Sequence, residues 1–571
     1  MDGHSTNGRR VDSNKPLRPG RRARSIAWPL AIVAALALVA GACGGSSDDG
    51  GGSGTTGGGE EAAGEPVEGG SLVYGLEAES SGGWCLPESQ LAVSGIMVAR
   101  AIYDTLTIPN ENAEYVPFLA ESVEPNEDFT QWTIKLREGV KFHDGTDLTA
   151  EVVKNNIDAW RGVYPGRNPL LLRFPYQPIT ETAVVDPLTV GVTTSVSWPS
   201  FPSYLYYSGR VGIMGQAQLD DSESCDTNLI GTGPFKKTEW VVNDHFSAEK
   251  NQDYWLTDDD GLQLPYLESV EFRPFPEGSS RVNALQGGEI QALHTSSAQD
   301  QVNLEDAADA GEVKVVSSGE YPEVSYGMLN VKKPPFDNKT AREAAAAAID
   351  LAEIQTVINL DKFPAANGPF GPGEMGYLED TGFPSYDPER AKELVAQYQE
   401  ETGDDLEITF TVQNTTEVLA IAQMVKEQGE KVGVKINIEP VEQATLISRA
   451  IAGEFEALSF RNHAGGDPDN QYIWWYTDAP TDFSKINDPE IDRLLDEGRA
   501  EPDRAKRTAI YEELNKRFAS EVYNLWLNWT VWMVASDDNV FGLTDTPMPS
   551  GEEPFPGLAD GHSVAGAWIA T

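Results

Sequence analysis

Leu406-Glu-Ile-Thr-Phe-Thr-Val412 alternates apolar and polar side chains, the period of a half-buried strand. Glu417 to Lys431 follows, with Val418, Ile421, Met424 and Val425 at helical spacing. Val434-Lys-Ile-Asn-Ile438 alternates again, Val441 to Ala452 returns to helical spacing, and Phe455 to Phe460 is a short apolar run. Strand, helix, strand, helix, strand is the pattern of a parallel α/β layer. Ligands of such layers sit just outside the carboxyl ends of the strands. The chain leaves the third strand through Ser459-Phe-Arg-Asn-His-Ala-Gly-Gly-Asp-Pro-Asp-Asn-Gln-Tyr-Ile-Trp-Trp-Tyr476. Its first half is polar and glycine-rich, with Arg461, His463, Asp467 and Asp469. Its second half is aromatic, with Tyr472, Trp474, Trp475 and Tyr476. A loop that sets charges beside flat rings suits a small, charged, partly apolar ligand, so this stretch is the leading site candidate. An ordinary surface turn followed by core aromatics is the alternative.

Toward the amino terminus, Arg18, Arg21, Arg22 and Arg24 precede an uncharged run from Ile26 to Ala42, which ends in small residues before Cys43. This resembles a bacterial lipoprotein signal, residues 1–42, with lipid placed on Cys43. Residues 43–69 are mostly Gly, Ser, Thr, Asp and Glu and read as a flexible tether, unable to bury a core. The expected location is outside the cytoplasm, anchored by lipid to the outer face of the cell membrane. Cys85 and Cys225 then remain as an even pair in an oxidising setting and are expected to form a disulfide. No Cys/His spacing for a metal site is visible, and no cofactor is expected.

The chain has 42 basic and 90 acidic residues. Without residues 1–42, which hold seven basic and two acidic side chains, 35 stand against 88. That surface excludes nucleic acid as a partner. About 500 residues beyond the tether imply two or three packed domains. The chain has no Gly-x-Ser-x-Gly elbow, no His-Glu-x-x-His, and only six His. It reads as non-catalytic, an extracellular hydrolase being the last alternative.

Leu119-Ala-Glu-Ser122, Phe129, Trp132-Thr-Ile-Lys-Leu-Arg-Glu-Gly-Val-Lys-Phe-His-Asp-Gly145 and Leu148-Thr-Ala-Glu-Val-Val153 together resemble the signature of the family 5 extracellular solute-binding proteins of ABC importers. Residue by residue, Trp132 to Val140 reads as a strand, Phe142 to Gly145 as a tight turn, and Thr149 as a helix N-cap. His143 reads as a turn residue. Further stretches are similar to the same family. They are Ile230-Gly-Thr-Gly-Pro-Phe-Lys236, Asn251-Gln-Asp-Tyr-Trp255, Leu285 to Ile290, Pro334 to Asn338, and Tyr386-Asp-Pro-Glu-Arg390 with Asp387 as N-cap. Asp488-Pro489 repeats that capping device.

The resemblance implies a two-lobed α/β fold of the periplasmic-binding-protein type, with an extra subdomain and a hinged cleft. Lobe I would combine residues 70–110, 211–320 and 526–571, the subdomain 111–210, and lobe II 321–525. The chain would cross between lobes near Glu320–Met328 and Val522–Trp529. The implied function is a monomeric lipoprotein that captures a small solute, a peptide by preference, and delivers it to ABC permease subunits. A carbohydrate or a chelated metal is the alternative cargo. By resemblance, Asp467 is the anchor for a ligand amine, with Asp469 as alternate. Arg461 either holds a ligand carboxylate or pairs with Asp467. Trp474, Trp475 and Tyr476 supply walls or packing.

Overall fold

One antiparallel ribbon runs through the middle of the molecule and joins its two halves. The computed structural model describes residues 64–80, 82–169, 171–463 and 465–570. Residues 1–42, Cys43 and the tether up to residue 63 lie outside the described residues. Fourteen strands position everything that follows. They are β1 (Ser71–Leu76), β2 (Ala120–Pro125), β3 (Gln131–Leu136), β4 (Ile179–Asp186), β5 (Thr189–Thr194), β6 (Phe235–Val241), β7 (His245–Lys250), β8 (Ser269–Pro274), β9 (Ala292–Thr295), β10 (Val313–Leu329), β11 (Glu407–Gln413), β12 (Lys435–Val441), β13 (Ala457–His463) and β14 (Asn524–Asp537).

Among the described residues, ten of them form one sheet in the order β12-β11-β13-β10-β14-β9-β1-β8-β7-β6. The long strands β10 and β14 pair antiparallel at its centre, from Val313 opposite Asp537 to Met328 opposite Asn524. The register breaks once between Ser318 and Glu323 and again between Ser325 and Tyr326. The first break is the larger, and Tyr321 within it has φ of 49°. On one side of it β14 pairs with β9, and on the other β10 pairs with β13. The passage between the halves therefore centres on residues 319–322.

Each half has its own core. Leu72, Ile96, Ile102, Phe235, Phe272 and their neighbours fill one face of the first half, and Leu285, Leu293 and Leu304 the other. In the second half, Ala344, Leu394, Ile408 and Val434 pack on one face, and Tyr326, Trp475, Leu494 and Phe518 on the other. The four-stranded sheet β2-β3-β5-β4 has a separate core around Trp132, Ile157, Trp160 and Trp198.

The alternating stretches fold as their periods require. β11 pairs parallel with both β12 and β13, and the helices Thr416–Val432 and Gln443–Ala452 cross between them. The third strand reaches His463, so Arg461 is a strand residue and does not open the loop. The Trp132 strand is shorter than its pattern suggests. It ends at Leu136, and the chain turns through Gly139 at φ of 79°. Thr149 caps its helix by accepting from the Val152 N–H, and Asp387 and Asp488 do the same for theirs.

The glycines of the Gly231-Thr-Gly233 segment serve packing. A Cβ on Gly231 would lie 1.9 Å from the Ile102 carbonyl oxygen, so only glycine allows the two backbones to meet. The segment is tied down from both sides. His143 donates to the Gly233 carbonyl oxygen at 3.0 Å and accepts from the Gly231 N–H at 3.3 Å. Burial holds its pKa down to about 4, in keeping with a neutral ring in that place. Thr232, Tyr254 and Trp255 all donate to the buried Asp104 carboxylate.

Cys85 and Cys225 are disulfide-bonded across 140 residues of chain, and Trp84 packs in the same core against Trp240 and Phe246. Among the described residues, no helix is long and apolar enough to cross a membrane.

Closing a loop of that length restricts the unfolded chain by an amount worth about 4–5 kcal/mol. Cys85→Ser with Cys225→Ser should lose stability of that order in urea unfolding followed by tryptophan fluorescence. A double variant as stable as the oxidised protein would contradict the assignment.

Candidate ligand site between the two halves

The carboxyl ends of the parallel strands in the two halves converge on one cluster of charged side chains. Glu77 follows β1 directly and Ser296 follows β9 directly. Arg461 lies two residues before the end of β13, opposite Ser325 of β10. Glu417 lies in the first turn of the helix that leaves β11. Glu323 stands on β10 just past its register break, and Trp532 on β14 lies on the other side of that break.

Arg461 reaches across between the halves. Its Nη1 donates to Ser296 Oγ at 2.7 Å. Its guanidinium lies 3.6 Å from Glu323 Oε2, 3.8 Å from Glu77 Oε2 and 5.7 Å from the Trp532 ring centre. Those ion-pair distances are too long for good hydrogen bonds, so several of its five N–H donors are not committed to these carboxylates. The side chain keeps 43% of its surface accessible although protein groups from both halves surround it. The exposed guanidinium therefore stands where groups of both halves meet.

The carboxylates around it are unequal. Glu77 Oε1 accepts from the Ser296 N–H at 2.8 Å and Oγ at 2.9 Å. Burial by itself would raise its pKa, but Arg281 and Arg461 outweigh burial and hold the group below the usual carboxylate range. Burial wins at Glu323 and pushes it up against the pull of Arg461. Burial also raises Glu417, to about 7, with Arg461 opposing and Glu77 and Asp300 adding to the rise. Among the described residues, no hydrogen bond reaches the Glu417 carboxyl. Asp300 is bonded to Thr295 and lies 3.6 Å from the buried Arg281. The cluster thus sets two guanidinium groups against four carboxyl groups.

The loop beyond β13 does something different. Asp467 accepts from the Asp469 N–H at 2.9 Å and from both terminal nitrogens of Arg507, at 2.7 and 2.5 Å. Arg507, and not Arg461, is its ion-pair partner. Asp469 is wholly buried. It accepts from Trp198 Nε1 at 2.9 Å, Ser200 Oγ at 2.7 Å and Arg499 Nε at 2.9 Å. Tyr204 Oη donates to the Asp469 carbonyl oxygen and accepts from Arg499 Nη2, each at 2.7 Å. The Arg499 guanidinium lies over the Tyr472 ring at 3.6 Å.

Trp475 is a core residue, edge-on to Phe518. Trp474 is partly buried against Phe460 and Phe483. Tyr476 stacks on Tyr472 at 4.6 Å and bonds Asp496. Of the residues singled out from sequence whose side chains are described, the structure brings Arg461 alone to the cleft cluster. Glu77, Ser296, Glu323 and Glu417 went unnoticed as site residues. Position just after a strand was the available signal for Glu77, Ser296 and Glu417. Among the described residues, no group of three or more His, Cys, Asp or Glu could hold a metal ion.

The profile of the bacterial extracellular solute-binding proteins, family 5 (middle region), matches residues 114–483. The glutathione-binding protein GsiB of Shigella boydii is 28% identical over 344 residues, 60% of this chain. The match spans 64% of that relative, just under two thirds of its length. Among solved structures, AgaA of A. tumefaciens R10, in complex with agropinic acid, superposes with a TM-score of 0.77 at 25% identity. That match covers 88% of this chain and 99% of AgaA. The oligopeptide-binding protein AppA of Bacillus subtilis, in complex with a nonapeptide, has the same fold, with a TM-score of 0.76 at 21% identity. It covers 89% of this chain and all of AppA.

Two stability experiments follow from the buried groups. Arg499→Ala leaves the Asp469 carboxylate without its cation and should cost about 3–5 kcal/mol in equilibrium unfolding. A loss below about 1 kcal/mol would mean that the pair is not dry. Glu374 is buried too, with Oε2 accepting from the Gly371 N–H and Oε1 without a partner. Burial, with Asp560 adding, pushes its pKa well above 4.5. The folded protein therefore keeps a proton that the unfolded chain loses, and stability falls as pH rises from about 4.5 upward. Glu374→Gln should match the parent at pH 4 and exceed it increasingly toward neutrality in melts across pH. Parallel melting curves for the two would reject a protonated Glu374.

Proposed function

Because this chain belongs to the bacterial extracellular solute-binding proteins of family 5, a non-catalytic family, we propose that it captures a small solute in the cleft beside Arg461 for an ABC importer. The observation that carries this reading is the accessible guanidinium of Arg461, ringed by groups from both halves. A solute there touches both halves at once, which is what couples binding to closure.

The two halves act as lobes, with residues 70–110, 211–320 and 526–571 in the first, 111–210 as its subdomain, and 321–525 in the second. The register break at residues 319–322 is where the ribbon gives. Closure brings Arg461 to Ser296 and Glu77, and a membrane permease then reads the closed form. A micromolar solute supplies about 8 kcal/mol in total, so its contacts with both lobes have to exceed the cost of closing. Lipid on Cys43 and the tether of residues 43–69 hold the lobes near the permease at the outer face of the membrane.

A peptide is the favoured solute. Its carbonyl oxygens and terminal carboxylate suit the free N–H donors of Arg461. The excess of carboxyl groups around that guanidinium favours a solute that also brings an ammonium, and Glu417 is free to receive it. The relatives named for glutathione and for agropinic acid support a small organic solute rather than a macromolecule. Asp467, spoken for by Arg507, is a weaker candidate for the amine anchor than Glu417.

Native mass spectrometry of the untreated protein should reveal a co-purified small solute. Arg461→Ala should lose that solute or weaken it roughly tenfold to a hundredfold in calorimetry, the range of a charge-assisted contact. Glu417→Gln should weaken a solute with a free amine and leave its N-acetylated form unaffected. Unchanged affinity in Arg461→Ala would place the solute elsewhere.

A further inference from the structure

The loop beyond β13 spends its charges on a contact between bodies that the hinge reading has moving apart. Trp198, Ser200 and Tyr204 belong to the core of the four-stranded sheet, on the first-lobe side. Asp469, Arg499 and Tyr472 belong to the second lobe. The chain crosses between the lobes through β10 and near β14, and this cluster is a contact outside that ribbon. Ser197 Oγ also donates to the Ala500 carbonyl oxygen at 3.2 Å, and Phe174 packs against Tyr472 and Tyr476. Gly466 sits close under Tyr115: a Cβ there would stand 2.9 Å from the Tyr115 hydroxyl.

We infer that Asp469 and Arg499, together with Trp198, Ser200 and Tyr204, form a clasp that stabilises the closed lobes independently of solute and so lowers the cost of closing. This rests on the hinge motion of the proposed function. In the closed form every donor around Asp469 is supplied by protein, and the pair is dry. Within the second lobe Arg499 alone would remain beside it. Opening would return both charges to water and expose the faces of Trp198, Tyr204 and Tyr472. Buried, fully bonded charge pairs are sharply geometry-dependent. The clasp therefore has two discrete states and no graded intermediate. It sets the closed population of the empty protein, and so the baseline against which solute adds its own stabilisation. Ser200 and Tyr204 act as positioning residues: they touch no solute and act through Asp469 and Arg499.

The test uses Ser200→Ala combined with Tyr204→Phe, which keeps shape and removes hydroxyls from the first-lobe side only. The probe is single-molecule energy transfer between one dye on each lobe of the full chain. Solute is stripped beforehand by unfolding and refolding. The closed-to-open ratio of the empty variant should fall tenfold or more, the size expected for losing bonds to a charged pair. Asp469→Asn should lower the ratio in the same direction, and Tyr204→Phe alone should fall between parent and double variant. A purely structural role would lower melting temperature and leave this ratio alone. If the parent moves between open and closed and the double variant shows the same ratio, the clasp is overturned and the hinge stands. If neither protein moves, whether stripped or untreated, the hinge reading and the clasp fall together.

Discussion

The pairing of β10 with β14 is the constraint on which the rest depends. Two strands of 17 and 14 residues carry backbone hydrogen bonds from one half of the molecule into the other. A ribbon of that kind resists stretching and slipping, since one residue of slip would turn every side chain to the wrong face. It resists bending and twisting much less where its register breaks. The break at residues 319–322 interrupts the ladder, while the flanking pairs fix which faces meet. Arg461, Glu323 and Trp532 owe their positions to this register. Arg461 is held opposite Ser325, and Glu323 and Trp532 flank the break.

Charge is distributed by depth. The chain carries a large acidic excess over its whole length. Two buried carboxylates are supplied with donors in number: Asp104 by Thr232, Tyr254 and Trp255, and Asp469 by Trp198, Ser200 and Arg499. At the cleft, carboxyl groups outnumber the cations facing them and the Arg461 side chain keeps accessible surface. Satisfied buried charges specify a unique packing, whereas partly satisfied charges beside water are available for exchange with a ligand. That contrast separates the clasp from the site more clearly than sequence position does, although Arg461 and Asp469 are only eight residues apart.

Several motifs that look chemical serve assembly. The glycines at 231 and 233 make room for the Ile102 backbone, and His143 stitches that segment to the turn after β3. The aromatic run at 472–476 packs into a core and covers Arg499. Large rings in a row read equally well as a binding wall or as core, and the decision rests on what stands opposite them. Here Phe174, Phe460, Phe483 and Phe518 do.

The one-dimensional chain determined what depends on neighbours along it. The alternation of Leu406 to Val412 and the spacing of Val418 to Val425 fixed a strand and a helix. Thr149, Asp387 and Asp488 fixed helix starts, and the run of motifs fixed the family. Those signals are local, because backbone period and capping are satisfied within a few residues. The cleft was not legible in that way. Glu77, Ser296, Glu323, Glu417 and Arg461 come from five separate stretches, and each is an ordinary polar residue until the sheet order sets them together. The stretch from Ser459 to Tyr476 reads from sequence as charged and aromatic, but sequence does not say that Arg507 and Arg499 come from helices further along to claim its aspartates. Only tertiary structure decides which charge meets which, because a buried ion pair is chosen by distance in space, and distance along the chain carries almost no information about it.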